Sequence, residues 1–158
     1  MIRHEKLMRV CIQLANRAAA LGEVPVGALI VRQTNGQVLG QGYNGVEQFQ
    51  NVTKHAEMVA IESASAKLGS WRLNSEGPVT MYTTVEPCIM CLGASILSRV
   101  DQIVYGASNE KFGGSKHIFH QQNEHVKTLN HHIEIVPGVL EDECAHLMRT
   151  FFQERRSP

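Results

Sequence analysis

Two short motifs carry residue types that could bind a metal and move protons. The first is His55-Ala56-Glu57, and the second, about 30 residues later, is Pro87-Cys88-Ile89-Met90-Cys91. One imidazole and two thiolates form a three-ligand zinc set that leaves a fourth position for water, as catalytic zinc sites do. Zinc lowers the pKa of bound water toward about 7, which provides hydroxide at neutral pH. The spacing therefore predicts a catalytic zinc held by His55, Cys88 and Cys91.

Glu57 is the candidate proton carrier. It lies two residues beyond His55, which on a regular helix places it off the face of the ligand. In a first helical turn, it could instead reach past the metal to the open side. There a carboxylate would take a proton from the water and deliver it to the substrate and its leaving group.

The alternative is a structural zinc site with an incidental Glu57. A structural site is normally closed by a fourth protein ligand. Cys11, Cys144 and several histidines are present, but none is spaced as an evident fourth ligand. Cys11 lies on an apolar helical stripe, and Cys144 falls in the last predicted helix, so we expect both to be buried thiols.

The rest of the chain must hold these motifs in place. Apolar residues at helical spacing predict a helix over 7–21, and the Asn35-Gly36 turn signal joins strands at 24–31 and 37–43. We expect a polar loop over 44–53, with Thr53 as the N-cap of a helix over 54–68. The remaining predicted elements are a strand at 79–85, a helix at 87–99, a strand at 102–107, an irregular stretch at 108–130, a strand at 132–136 and a helix at 140–155.

This alternation predicts helices on both faces of a largely parallel sheet, led by an antiparallel hairpin. In such sheets ligands bind beyond the carboxyl ends of strands, where the chain turns into helices. Both motifs fall where a helix begins. We therefore expect them to meet at one edge of the sheet.

Composition narrows the classes of protein. The chain has 158 residues, of which 43% are apolar and 19% charged, as in one soluble domain spanning 1–158. Its longest nearly apolar stretch, 24–31, is too short to span a bilayer, which takes about 20 residues. Residues 1–6 run into charge without an apolar signal core, so we expect a cytoplasmic protein with reduced cysteines. Zero net charge limits any nucleic-acid surface to a local patch.

The H-x-E and P-C-x-x-C pair is the signature of zinc nucleobase deaminases. Nearly the whole chain resembles the tRNA-specific adenosine deaminases of the cytidine and deoxycytidylate deaminase superfamily. Matching stretches are 22–28, 42–44, 54–61, 71–73, 84–91 and 151–156, while 109–114 is closer to the eukaryotic catalytic subunit. The resemblance implies a three-layer α/β/α cytidine-deaminase-like fold with a mixed five-stranded sheet and an antiparallel N-terminal hairpin. It also implies hydrolytic deamination of adenosine to inosine at the wobble position of tRNA anticodons, with one Zn²⁺ per subunit.

The same resemblance implies substrate contacts. The Asn44 side chain and the Ala56 backbone would hydrogen-bond the flipped base. RNA contacts would come from the C-terminal residues Phe151, Phe152, Arg155 and Arg156. The residues alone leave simpler alternatives open. Asn44 could equally be a turn residue. The two phenylalanines could be core residues, and the two arginines could belong to a solvated tail.

Other readings remain open. The resemblance implies a dimer, either a homodimer or a heterodimer with a catalytically inactive relative, in which this chain would be active because it retains Glu57. A free-base or nucleoside deaminase, acting on guanine or cytosine, would share the metal site. A non-catalytic zinc subunit is a third possibility, which Glu57 argues against. Two stretches depart from the family: 51–53, where bacterial members have Asp-Pro-Thr, and Ser115–His120, whose role is open and whose histidines could also suggest a second metal.

Overall fold

The computed structural model describes residues 2–118 and 128–156. Within these residues, helices and strands alternate along most of the chain. In order they are α1 (Ile2–Ala20), β1 (Gly27–Arg32), β2 (Val38–Tyr43), α2 (Val46–Phe49), α3 (Ala56–Leu68), β3 (Val79–Val85), α4 (Ile89–Leu97), β4 (Gln102–Ala107), α5 (Gly114–Ile118), β5 (Glu134–Val136) and α6 (Glu141–Arg156).

The five strands form one mixed sheet in the order β2-β1-β3-β4-β5. Strand β1 runs antiparallel to both of its neighbours, while β3, β4 and β5 are parallel to one another. The mixed five-stranded sheet with an N-terminal hairpin is therefore confirmed. The expectation of a largely parallel sheet was wrong for the half built on β1, because the chain after α3 returns to pair with β1 from its other side.

Alternating side chains divide the core between the two faces of the sheet. In β1, Ala28 and Ile30 join one buried cluster, whereas Leu29 and Val31 join the other. The first cluster contains residues of α3 and α4, and the second contains residues of α1 and α6. Since side chains on a strand point to opposite faces in turn, this partition gives three layers, α/β/α, as expected.

Glycines on β2 let α3 lie directly on the sheet. A Cβ at Gly42 would come 2.4 Å from the carbonyl oxygen of Ala56, and one at Gly40 would come 2.3 Å from that of Ala60. Such separations exclude any side chain. The helix meets the strand through its small residues Ala56, Ala60 and Ala64, all fully buried, so the start of α3 is held close to the end of β2.

Strands β3 and β4 agree with their predicted bounds, but several other expectations were wrong. The expected loop over 44–53 contains the short helix α2, and the irregular stretch after 108 contains α5. Thr53 does not cap α3: its hydroxyl donates to Asn51 Oδ1, and His55 occupies the N-cap position. Helix α4 likewise begins two residues later than expected.

Three further expectations concern the two remaining cysteines, membrane-spanning helices and the segment Ser115–His120. Cys11 and Cys144 are free and buried, as expected. Among the described residues, no helix has the length and apolar character needed to cross a membrane. Phe119 and His120, in the segment whose role was left open, lie outside the described residues.

Candidate metal centre and active site

The two motifs bring three metal-binding side chains together. His55 Nδ1 lies 3.6 Å from Cys88 Sγ and 3.5 Å from Cys91 Sγ. Tetrahedral zinc, with Zn–S near 2.3 Å and Zn–N near 2.0 Å, would separate such atoms by about 3.6 Å. In the part of the chain that the structure describes, these three residues are the only group of His, Cys, Asp and Glu whose donor atoms converge in this way. The donor set and its spacing therefore fit zinc with one coordination position left over.

Both motifs place a ligand at the start of a helix. His55 is the N-cap of α3, and Cys88 is the N-cap of α4; both have extended backbones. Cys91 follows in the first turn of α4. The N-terminal ends of both helices thus face the cluster, and their partial positive charge favours thiolate ligands.

Protons are unevenly distributed among the three ligands. A hydrogen bond from Cys91 holds the pKa of the Cys88 thiol at about 4. The same bond, together with burial, raises the pKa of Cys91, and the hydrogen bond with Cys88 raises the pKa of His55. Cys88 is therefore already a thiolate, and a cation binding here would displace the remaining protons from Cys91 and His55.

Glu57 lies beside this cluster in the first turn of α3. Its Oε2 is 3.7 Å from Cys91 Sγ, and Thr83 Oγ1 lies 3.4 Å from its Oε1. The carboxyl group is buried, and burial raises its pKa. A carboxyl group with a raised pKa beside a metal site can hold a proton and release it again, which is the property that general acid–base catalysis requires.

A cavity of about 290 Å³ opens onto His55, Glu57 and Cys88. Its walls come from the carboxyl ends of β2, β3 and β4 and the amino end of β1, because β1 runs antiparallel to β3. The sequence prediction that both motifs would meet at one edge of the sheet is thus confirmed. The cavity is large enough to hold a single nucleobase.

Asn44 lines this cavity, and Ala56 lies between His55 and Glu57, which both line it. Asn44 follows β2, is buried, and lines the cavity. A hydrogen bond from Gly45 N to Lys54 O, 2.9 Å long, brings the segment after β2 against the start of α3. Ala56 is the first residue of α3, where backbone N–H groups have no partner within the helix.

Two buried carboxylates at the cavity were not anticipated from the sequence. Glu86 accepts hydrogen bonds from Asn109 N, at 2.9 Å, and from Ser115 Oγ, which fastens the chain after β4 beside the ligand Cys88. Glu23 accepts three hydrogen bonds near Asn44. Each carboxylate is only 1% exposed. A signal was available for Glu86: it is an acidic residue that directly follows a buried strand and lies two residues before the candidate ligand Cys88.

The four C-terminal RNA candidates fall into two pairs. Phe151 is 8% exposed, whereas Phe152 is 41% exposed. Arg155 stacks on the Phe151 ring and donates a hydrogen bond to the carbonyl oxygen of Gly22. Phe151 and Arg155 therefore join this face of α6 to the end of α1, which is a contact within the fold.

Phe152 and Arg156 instead border a second depression, here called the lateral groove. It lies between α6 and residues 108–112, has a volume of about 590 Å³, and adjoins the cavity, with which it shares Val85, Asn109 and Met148. Its charged and aromatic lining includes Glu110, Lys111, Phe112, Arg149, Phe152 and Arg156.

Comparisons with known proteins agree with this geometry. Residues 1–107 match the family model described as the cytidine and deoxycytidylate deaminase zinc-binding region. A tRNA-specific adenosine deaminase of Bacillus subtilis is 42% identical over 156 residues, covering 99% of this chain and 92% of the relative. A solved structure from work on A-to-I editing by tRNA deaminases at the wobble position is 31% identical, with a TM-score of 0.76, covering 89% and 96%. A guanine deaminase from Nitrosomonas europaea is 25% identical, with a TM-score of 0.77, covering 93% and 83%.

Proposed function

Since the chain belongs to the cytidine and deoxycytidylate deaminase zinc-binding family, and within it to the tRNA-specific adenosine deaminases, we propose that it hydrolytically deaminates adenosine to inosine at the wobble position of a tRNA anticodon. The observation that carries the proposal is the meeting of one imidazole, two thiols and a buried carboxyl group beside a base-sized cavity.

His55, Cys88 and Cys91 would hold one zinc ion per subunit. The match of their separations to a tetrahedral N/S₂ set supports this assignment. When bound, zinc supplies Lewis-acid activation of water at neutral pH.

Glu57 is the proton carrier in this proposal. Its carboxylate would take one proton from the attacking water and give it to a ring nitrogen of the base, and would then move the proton of the added hydroxyl to the amino group, which leaves as ammonia. The carboxylate is thereby regenerated in each turnover. Its burial and its 3.7 Å approach to Cys91 support that role, because they keep it next to the metal ligands and away from bulk water.

Asn44 and the Ala56 N–H would hydrogen-bond the flipped base. An anticodon loop suits this cavity because its bases are already unpaired, so extruding one costs less than the few kcal/mol needed in a duplex. Sequence-specific RNA readers favour such splayed loops.

Nucleotides flanking the target would follow the lateral groove. The Phe152 ring offers a stacking surface, and the Arg156 guanidinium offers a phosphate contact. Exposure of both side chains and the continuity of the groove with the cavity support this path. The neighbouring cations Lys111 and Arg149 extend the same basic lining.

We further infer that the protein acts as a homodimer in the cytoplasm, where its tRNA substrate is found. The exposed apolar side chains of Val52 and Ile89 support a dimer, since they border a largely apolar depression of about 410 Å³ beside His55 and Cys88. Light scattering should give twice the 17.6 kDa chain mass. A monomeric mass would instead favour pairing with a catalytically inactive relative.

The second candidate is a free-base deaminase, which the similarity to a guanine deaminase favours. One assay separates the two candidates. Zinc-loaded protein is incubated with an anticodon stem-loop carrying adenosine at the wobble position, with the same stem-loop carrying that adenosine one position away, and with free guanine and cytosine. We expect inosine, detected by nucleoside mass spectrometry, in the first RNA only. Rapid turnover of a free base with no inosine in either RNA would reverse the assignment.

A further inference from the structure

Glu23 occupies the wall of the cavity because of the way α1 ends. Gly22 adopts a left-handed conformation, with φ of +78°, and Glu23 N donates to Ala18 O at 2.9 Å. This is the hydrogen bond of a glycine-terminated helix. It turns the chain back toward the sheet and directs Glu23 inward, where only 1% of the residue is exposed.

The Glu23 carboxylate contacts Asn44 and the start of α2. Asn44 Nδ2 donates to Glu23 Oε2 at 3.2 Å. Backbone N–H groups of Glu47 and Gln48 donate to the same carboxylate at 3.2 and 2.5 Å. With these three donors, the buried charge is well satisfied, although no cation pairs with it among the described residues.

The chemistry of this contact determines which way the Asn44 amide points. An ionised carboxylate can only accept hydrogen bonds, whereas an amide has an accepting oxygen and a donating nitrogen. If the amide were turned over, Asn44 Oδ1 would face the carboxylate, and two acceptors would meet in a buried place. Glu23 therefore excludes the reversed amide, and the outward edge of Asn44 consists of Oδ1 and the second N–H of Nδ2.

We propose that Glu23 is a positioning residue that fixes the Asn44 amide in one orientation, so that a single acceptor–donor edge is presented to the substrate base. The consequence for substrate recognition rests on the proposed function, whereas the contact itself does not. A base that enters the cavity meets a preset hydrogen-bonding edge, and no part of its binding free energy is spent on selecting one of two amide orientations.

Glu23→Gln tests this role with little change of shape. The Oε1 of glutamine can still accept from Gln48 N, whereas Nε2 takes the place of Oε2, which accepts from both Asn44 Nδ2 and Glu47 N. Because Nε2 is a donor, it is compatible with a reversed Asn44. We expect kcat/KM on the stem-loop to fall about tenfold, chiefly through KM, with zinc content close to wild type, and any effect of the lost Glu47 contact should persist in an Asn44→Ala background.

A double-mutant cycle tests whether Glu23 acts through Asn44. In an Asn44→Ala background the Glu23→Gln change should have almost no further effect on kcat/KM. An undiminished tenfold loss in that background would overturn the proposal, since Glu23 would then be acting on something other than the amide.

A measurement without substrate makes the contact testable on its own. The Asn44 side-chain amide, identified in ¹⁵N spectra by its loss in Asn44→Ala, should exchange with solvent more slowly than that of the exposed Asn35, and Glu23→Gln should shift its proton signals. The contact would be refuted if the wild-type signals exchanged as fast as those of Asn35, or if their chemical shifts were the same in wild type and Glu23→Gln. If wild type fails on the stem-loop, the proposed function falls, while these signals still decide the contact.

Discussion

Glu57 and Cys88 border the same cavity, but burial separates what each can do. The Glu57 carboxyl group lies in the cavity wall, in contact with Thr83 and Cys91, and burial raises its pKa, so it retains a proton more readily than a surface glutamate. The Cys88 sulfur is only half-buried, and its pKa is held at about 4 by the hydrogen bond from Cys91. One side chain is suited to carrying protons and the other to holding a cation.

Removing the Glu57 carboxyl group should therefore abolish turnover without removing the metal. We expect Glu57→Ala to lose about 10²- to 10⁴-fold in kcat, the usual contribution of a general acid–base group, and to retain one zinc by atomic emission. Glu62→Ala is the matched control, because Glu62 lies on the same helix but is exposed and paired with Lys54. Loss of zinc from Glu57→Ala would assign Glu57 a structural role in the cluster.

Thiol chemistry provides a second test at this scale. In metal-free folded protein, iodoacetamide should modify Cys88 and leave Cys11 and Cys144 untouched, since both are fully buried and burial raises their pKa values. Because the pKa of Cys88 lies near 4, it is a thiolate throughout pH 6 to 8 and its alkylation rate should be nearly constant there. An ordinary thiol, with a pKa of about 8.5, would react about tenfold faster per pH unit over that range.

Peptide mass mapping identifies the modified cysteine. Adding zinc before the reagent should protect Cys88. A tenfold rise in its rate for each pH unit, or labelling unaffected by zinc, would contradict the proposed metal cluster.

The sequence alone predicted the three candidate ligands and Glu57 but not the residues that support them. His55, Cys88 and Cys91 belong to short motifs whose spacing implies a common centre. Glu23 and Glu86 have no such motif, because their partners lie more than 20 residues away along the chain. Only the fold brings those partners together.

At the scale of elements, the contact between β2 and α3 positions the site. Strands β3 and β4 were predictable to the residue because each is a short β-rich or apolar run with clear limits. The starts of α3 and α4 were predicted two residues early, because His55 and Cys88 adopt extended N-cap conformations. Helix α2 was missed, since four residues with no buried side chain carry no periodic signal.

Gly42→Ala tests the importance of this close contact. Its Cβ would lie 2.4 Å from Ala56 O, so α3 must shift, and His55 and Glu57 with it. We expect the free energy of unfolding to fall by about 1–3 kcal/mol, together with weaker zinc retention against a chelator. Gly93→Ala is the control: it lies within α4 with nothing within 4 Å of the new Cβ, and should stabilise the protein by about 0.5–1 kcal/mol. Equal unfolding free energies and equal zinc retention in the two variants would show that α3 can move away from β2 without cost.

For the molecule as a whole, the balance of positive and negative charges means that RNA binding depends on local clusters of cations. The chain carries 15 basic and 15 acidic residues, so overall attraction to a polyanion is absent and binding depends on where the cations lie. Composition could not locate them. The structure distinguishes Arg156, which borders the lateral groove, from Arg155, which bonds to the end of α1.

This difference predicts opposite phenotypes for adjacent arginines. Arg156→Ala should weaken stem-loop binding several-fold and reduce the slope of log K against log salt by about one, with an unchanged thermal midpoint. Arg155→Ala should lower the thermal midpoint and leave the slope unchanged, because it removes contacts with Phe151 and Gly22. Fluorescence anisotropy across a salt series and thermal melts measure both. Identical slopes for wild type and Arg156→Ala would place the RNA elsewhere.

The ligand set also links segments that are far apart in sequence, since His55 and Cys88 are separated by 33 positions. An ion held by both acts as a removable crosslink between two helices on the same face of the sheet. Folding and ion uptake then become one coupled equilibrium: above the dissociation constant, each tenfold increase in free zinc should add about 1.4 kcal/mol to the free energy of unfolding. Denaturant melts in metal-buffered solutions would measure that increment, and in a cell short of zinc the enzyme would be less stable as well as inactive.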